Sequence, residues 1–162
     1  MNHLSNPIYQ TTIQQEWTDY NNHLNVAYYL LIFDKAAEEL MESIELGEHS
    51  AKTKKISWMV MENHMTFNRE LVVGQEVEVH FRLIDHDHKR LHFYMEMYAV
   101  GEKSYLAATL EEMIICADLA NRKSTEFPND VLQNIEQIAK DQTDLQMPDN
   151  IGRKIGIRRT TA

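Results

Sequence analysis

The chain has 162 residues, a formal charge of −9, 43% apolar and 25% charged side chains, which makes it one globular domain's worth of sequence, since domains run roughly 100–200 residues. Such a length can bury about 70% of the unfolded surface without a disulfide or metal staple. The single cysteine, Cys116, excludes a disulfide framework and a Cys-rich zinc site, and no apolar run reaches the roughly 18–20 residues of a membrane span.

The N-terminal stretch MNHLSNPIYQ has neither the basic start nor the apolar run of a signal peptide, so the expected compartment is the cytoplasm. The acidic balance argues against nucleic acid, whose affinity rests on neutralising phosphates. One local exception is the C-terminal end, where Arg153, Lys154, Arg158 and Arg159 stand against Asp149 alone. A run of this kind reads as a solvated terminus, or alternatively as an anion-binding arm.

The first expected strand is short, about Tyr9–Glu16. The segment WTDYNNHLN (17–25) follows, crowded with turn and cap formers. From Val26 to about Leu46 the spacing predicts a helix, with Val26, Tyr29, Phe33, Ala37, Leu40 and Ile44 at three- and four-residue steps. Its first half, YYLLIF, is apolar all round, which predicts burial on every side. Gly47 is a plausible stop, and GEHSAKTKK a polar loop.

The next stretch alternates with period two, the mark of sheet with one covered and one wetter face. It comprises residues 58–67, 76–84, 90–99 and about 104–117, with the last three joined by the hairpin-length turns LIDHDHKR and VGEKS. In the last of these the phase slips at Glu111–Glu112, which predicts a bulge. Pro128 opens a final amphipathic helix carrying Val131, Ile135 and Ile138 on one side. The order is strand, long helix, four strands read as a meander, short helix. It implies an α+β layer in which one antiparallel sheet curls around one buried helix. Residues 1–141 form that single domain, and 142–162 a basic C-terminal tail.

The densest group of unusual side chains, Trp17 to Asn25, sits where the long helix begins. A helix start presents unpaired N–H groups and a positive dipole end, which can polarise a carbonyl. A carboxylate just before it, Asp19, can serve as nucleophile or general base. The competing reading is an elaborate N-cap, because Asp, Asn and Thr all cap well.

This segment, WTDYNNHLNVAYYLLIFDKA, resembles the helix-start motif of hotdog-fold acyl-CoA thioesterases of the 4-hydroxybenzoyl-CoA thioesterase type. Asp19 falls on that family's catalytic Asp, and His23 and Asn25 on its frequent His and Asn. Residues 61–76, MENHMTFNRELVVGQE, resemble its second strand, turn and third-strand start, with Gln75 where the family has an acidic residue after Gly74. Trp17, the Asp19-Tyr20-Asn21 triplet, KRLHFYMEMY (89–98) and GRKIGIRR (152–159) are closer to a subgroup of carnitine and betaine catabolism, similar to betainyl-CoA thioesterase. Where relatives commonly place Gly in the turn, this chain has Asn22, a residue that tolerates the left-handed conformation.

The resemblance implies a hotdog fold and hydrolysis of an acyl-CoA thioester, with CoA part of the substrate and no cofactor. The acyl group is expected to be short or polar, such as betainyl; aromatic or longer groups, a hydratase and a non-catalytic acyl-CoA-binding module are the alternatives. Asp19 would attack or activate water, with His23 and Asn25 beside it. N–H groups near Asn25 and Val26 would hold the carbonyl oxygen. Trp17, Tyr20, Val26, Tyr29 and Trp58 would line the acyl pocket, although Tyr29 and Trp58 also read as plain core. Glu62 is an alternative base. His86 and His88 show no third metal ligand, so no metal site is expected. A homodimer or homotetramer is expected, because a lone hotdog sheet leaves an edge open.

Overall fold

The computed structural model describes residues 6–157; Arg158 and Arg159 of the basic tail lie outside them. The alternating stretches form one antiparallel sheet of six strands: β1 Tyr9–Thr12, β2 Ile56–Phe67, β3 Glu76–His86, β4 Arg90–Val100, β5 Tyr105–Asp118 and the short β6 Lys123–Ser124. A 3-10 turn at Gln15–Trp17 leads toward α1, Val26–Ser43, and α2 (Glu48–Thr53) and α3 (Asn129–Asp141) complete the chain.

The strands run in the order β1-β3-β4-β5-β2, with β6 on β5. Only β3, β4 and β5 form a meander; β2 lies beside β5, which corrects the expected run of four. Alternation located β2 to β5 but says nothing about neighbours, and the first strand stops at Thr12 rather than Glu16 because Gln15–Trp17 turn into the 3-10 helix. Period two puts Val77, Val79, Phe81 and Leu83 of β3 on the helix side. Leu91, Phe93, Met95 and Met97 of β4 join them, all 7% exposed or less. Tyr29, Ile32, Phe33, Ala36, Ala37, Leu40 and Met41 of α1 bury against this face.

The phase slip expected at Glu111–Glu112 is absent. Ala108, Leu110, Glu112, Ile114 and Cys116 keep one side of β5, and Glu112 is a buried carboxyl in a helix-facing slot. The irregularity on β5 falls earlier, where Met97 pairs with Ala108 but Tyr98 with Leu106. A second bulge lies on β2 at Met61, between Val60 and Glu62.

α1 ends at Ser43 rather than Leu46, and the turn-over is made by Glu45 at φ 67°. Gly47 instead precedes α2 in the stretch read as loop, since a single turn and a half of mostly polar residues carries no period to detect. A Cβ at Gly47 would fall 1.8 Å from Glu42 Oε2 and 2.8 Å from Glu42 Cα.

Contrary to the burial on every side expected from its apolar first half, the helix has a wet flank. Val26 (61% exposed), Leu30 and Leu31 face outward. Val26 and Leu30, at four-residue spacing, share a stripe of α1. β2 is a free sheet edge twelve residues long, and its Met59, Val60 and Met61 are exposed too. One sheet covers one side of a helix; nothing within a single chain covers the flank.

After α3 the chain returns across the outer face of the sheet. Leu83 N–H donates to Gln142 Oε1 (2.8 Å), Tyr94 Oη to Asn150 Oδ1 (2.5 Å) and Gly152 N–H to Glu111 Oε2 (2.8 Å). The Arg82 guanidinium donates to the carbonyls of Gln142 and Leu145. Residues 142–152 are therefore strapped onto the domain.

Candidate active site

The approach to α1 is a tight turn built on Asp19. Its N–H donates to His23 O (3.0 Å), and its carbonyl accepts from Asn22 N–H (3.0 Å). Its carboxylate Oδ1 accepts from Asn21 N–H at 2.8 Å and His23 N–H at 3.4 Å. Asn22 sits at φ 63°, in the left-handed region that Asn tolerates. All these bonds fall on Oδ1, so Oδ2 has no hydrogen bond among the described residues, and the side chain is half-buried. The turn fixes the carboxylate and leaves one oxygen available.

Asn25 then caps the helix, its Oδ1 accepting from Ala27 N–H at 3.0 Å. Its own N–H donates to Trp17 O at 2.9 Å, so it is not a spare donor to a substrate carbonyl. The N–H of Val26 is in no hydrogen bond among the described residues, and it remains the donor at the positive helix end.

Beside Val26 is an open depression of about 380 Å³. His23, Leu24, Val26 and Tyr29 line it from the helix start, and Phe67 at the end of β2 does so with Asn68, Arg69 and Glu70 just beyond it. The two segments are joined by Leu24 N–H donating to Leu71 O (2.8 Å), by the Tyr29–Phe67 edge-to-face ring pair at 5.2 Å, and by His23 Nε2 at 3.5 Å from Glu70 Oε2. Asp19 does not itself line the depression; its carboxylate is tied to His23, which does, by the 3.4 Å bond from the His23 N–H. Tyr29 is buried, which pushes its hydroxyl pKa up.

The other expected pocket residues are less gathered. Trp17 stacks on Tyr28 at 5.9 Å, and Tyr20 is 94% exposed at the tip of the turn. Trp58 pairs with Cys116, nine residues before Phe67; that is roughly 30 Å along an extended strand. Within one chain, neither Tyr20 nor Trp58 reaches the depression. Glu62 pairs with Met113 on the outer face, away from α1, because the bulge at Met61 turns it there. Phe67, Asn68 and Glu70 received no role from the sequence. They meet the helix start only through folding, more than 40 residues along the chain, and no local pattern signals that.

Glu112 is a further unforeseen group. It is 4% exposed on the helix side of β5, with Asn63 Nδ2 3.4 Å away. Burial chiefly pushes its carboxyl up to about 7, and the neighbouring Asp34 charge adds to the rise. Among the described residues no three His, Cys, Asp or Glu side chains come together as a metal cluster, and no helix is long and apolar enough to cross a membrane.

Residues 13–135 match the Thioesterase-like superfamily. The betainyl-CoA thioesterase of Pseudomonas aeruginosa is 36% identical over 149 residues, covering 92% of this chain and 93% of that protein. An L-carnitine dehydrogenase/betainyl-CoA thioesterase of Rhizobium meliloti is 28% identical over 92% of this chain, which matches 30% of its length. Among solved structures, a hypothetical protein of Staphylococcus aureus in complex with CoA superposes with a TM-score of 0.87 at 29% identity, covering 93% of this chain and 94% of that one. A 1,4-dihydroxy-2-naphthoyl-CoA thioesterase from Synechocystis shares the fold, with a TM-score of 0.69 at 18% identity over 86% of this chain and 97% of that one. A sheet curled over one long helix is the fold these matches share, and the chain is a member of the thioesterase-like superfamily, a hotdog-fold acyl-CoA thioesterase.

Proposed function

We propose that this protein hydrolyses a short or polar acyl-CoA of the betainyl type, with Asp19 as its base or nucleophile. The observation that carries the proposal is the pairing of a turn-locked carboxylate with an unused N–H, that of Val26, at the head of α1. The substrate carbonyl oxygen would accept from Val26 N–H, where the helix dipole favours developing negative charge. As base, Asp19 takes a proton from water, the hydroxide adds to the carbonyl carbon, and the C–S bond breaks. The departing CoA sulfur then receives the proton. As nucleophile, Asp19 displaces the thiolate to give a mixed anhydride that water cleaves. His23, held between the Asp19 turn and Glu70, orients the carboxylate.

The pocket is completed by a second copy. The free edge of β2 and the exposed Val26–Leu30 stripe lie on the flank the sheet leaves uncovered, and pairing two β2 edges covers both. Antiparallel pairing about the middle of β2 carries Trp58 of the partner subunit toward this chain's Phe67, at the helix start. That gives a helix-facing aromatic wall suited to a trimethylammonium group, at about 0.5–2 kcal/mol per cation–π contact. A cytoplasmic setting fits Cys116, a buried free thiol.

The test is release of CoA thiol from a panel of acyl-CoAs, betainyl-CoA included, by the unaltered protein and by Asp19→Asn. Loss of about 10²–10⁴-fold in kcat with the fold intact is expected. Turnover close to that of the unaltered protein would remove Asp19 from the mechanism. Preference for aromatic or long acyl groups would replace the betainyl assignment, and binding without thiol release would leave a non-catalytic module.

A further inference from the structure

The strap of residues 142–152 does not lie flat on the sheet. Between it and the outer face is a cavity of about 920 Å³, within the span of roughly 300–1,000 Å³ usual for small-molecule sites. Its floor includes Tyr94, Glu96 and Tyr98, outward-facing on β4. Arg153 and Lys154 contribute from the strap end. Asn68 lines this cavity and also the depression beside Val26. Asn68 therefore borders both hollows, one on the helix side of the sheet and one on the outer side.

This arrangement suits a long ligand with chemically different ends. A thioester at Val26 N–H would leave its pantetheine arm to pass Asn68. What lies beyond that arm in CoA is an adenine ring and a set of phosphates. A protein of formal charge −9 repels anions in general, so a phosphate needs a local cation pair, and Arg153 and Lys154 are exposed here. Tyr94 is buried and held by the strap at Asn150, so the ring that can meet a base is that of the partly exposed Tyr98. Two carboxyls also line the cavity, Asp149 on the strap, which opposes an anion, and Glu96 on the floor, whose pKa is raised chiefly by burial; Arg153 and Lys154 must outweigh them.

We propose that the adenosine phosphate end of CoA occupies the cavity under the C-terminal strap, with its phosphates against Arg153 and Lys154. This rests on the acyl-CoA thioesterase reading and adds to it the grip on the carrier.

The experiment compares kcat/KM for one acyl group carried on CoA and on pantetheine alone, which lacks the adenosine phosphate end. The ratio of the two isolates whatever holds that end. In Arg153→Glu/Lys154→Glu the ratio is expected to fall about tenfold or more, through KM for the CoA ester. Lys123→Glu, on β6 at the opposite end of the sheet, controls for charge change at a distance and should keep the ratio. An unchanged ratio in the double variant, or an equal fall in Lys123→Glu, overturns the proposed cavity while leaving the hydrolase in place. Failure of the unaltered protein to cleave either ester would overturn the functional reading and this proposal together.

Discussion

Replacing Glu112 by Gln should make the protein more stable at high pH and leave it nearly unchanged at low pH. Glu112 sits in the helix-facing row of β5, 4% exposed, with one hydrogen bond from Asn63 at 3.4 Å. Its folded-state carboxyl is pushed up to about 7 from an ordinary 4.5, first by burial and then by the Asp34 charge. A raised carboxyl binds its proton more tightly in the folded chain than in the unfolded one. Its stabilising contribution is therefore full below about pH 4.5 and lost as pH climbs through 7. At about 1.4 kcal/mol per pH unit, the loss is about 3 kcal/mol by pH 8. Gln keeps the shape and still accepts from Asn63 without ionising. Urea unfolding between pH 5 and 8.5 should show the unaltered protein losing about 2.5 kcal/mol relative to Glu112→Gln, part of the loss having already occurred by pH 5. That corresponds to a Tm gap of roughly 5–10 °C for a chain of this size. Parallel stability curves for the two proteins would refute the argument.

Two other perturbations test the frame of the site. Val60→Lys, at the exposed centre of the β2 edge, should convert the proposed dimer to monomer by size-exclusion chromatography with light scattering. It should also lower thioesterase activity while circular dichroism stays unchanged; an active monomer would show the site to be complete in one chain. Gly47→Ala should destabilise by about 1–3 kcal/mol in denaturant unfolding, because the added Cβ meets Glu42 side chain and backbone at once. A neutral result would mean that the α1–α2 turn yields more readily than its packing implies.

The sequence determined the elements and their inward faces, because those depend on period. Steps of three and four gave α1 from Val26, and alternation gave the faces of β3 and β4 residue by residue. The helix start was also legible, since Asp19, Asn22 and Asn25 act on backbone groups within a few positions of themselves. What escaped was everything set by partners distant along the chain. β2 lies beside β5 rather than β3, and Phe67, with residues 68–70 beyond it, walls the hollow at Val26. Glu112 looked like a break in phase because a carboxyl on a buried face contradicts hydropathy; only the sheet register reveals it as an inward residue. Gly47 looked like a stop for its flexibility, yet it is needed for its size. Local hydrogen bonding and periodicity are written in consecutive residues, whereas the walls of a site are decided by which surfaces the folded chain brings together.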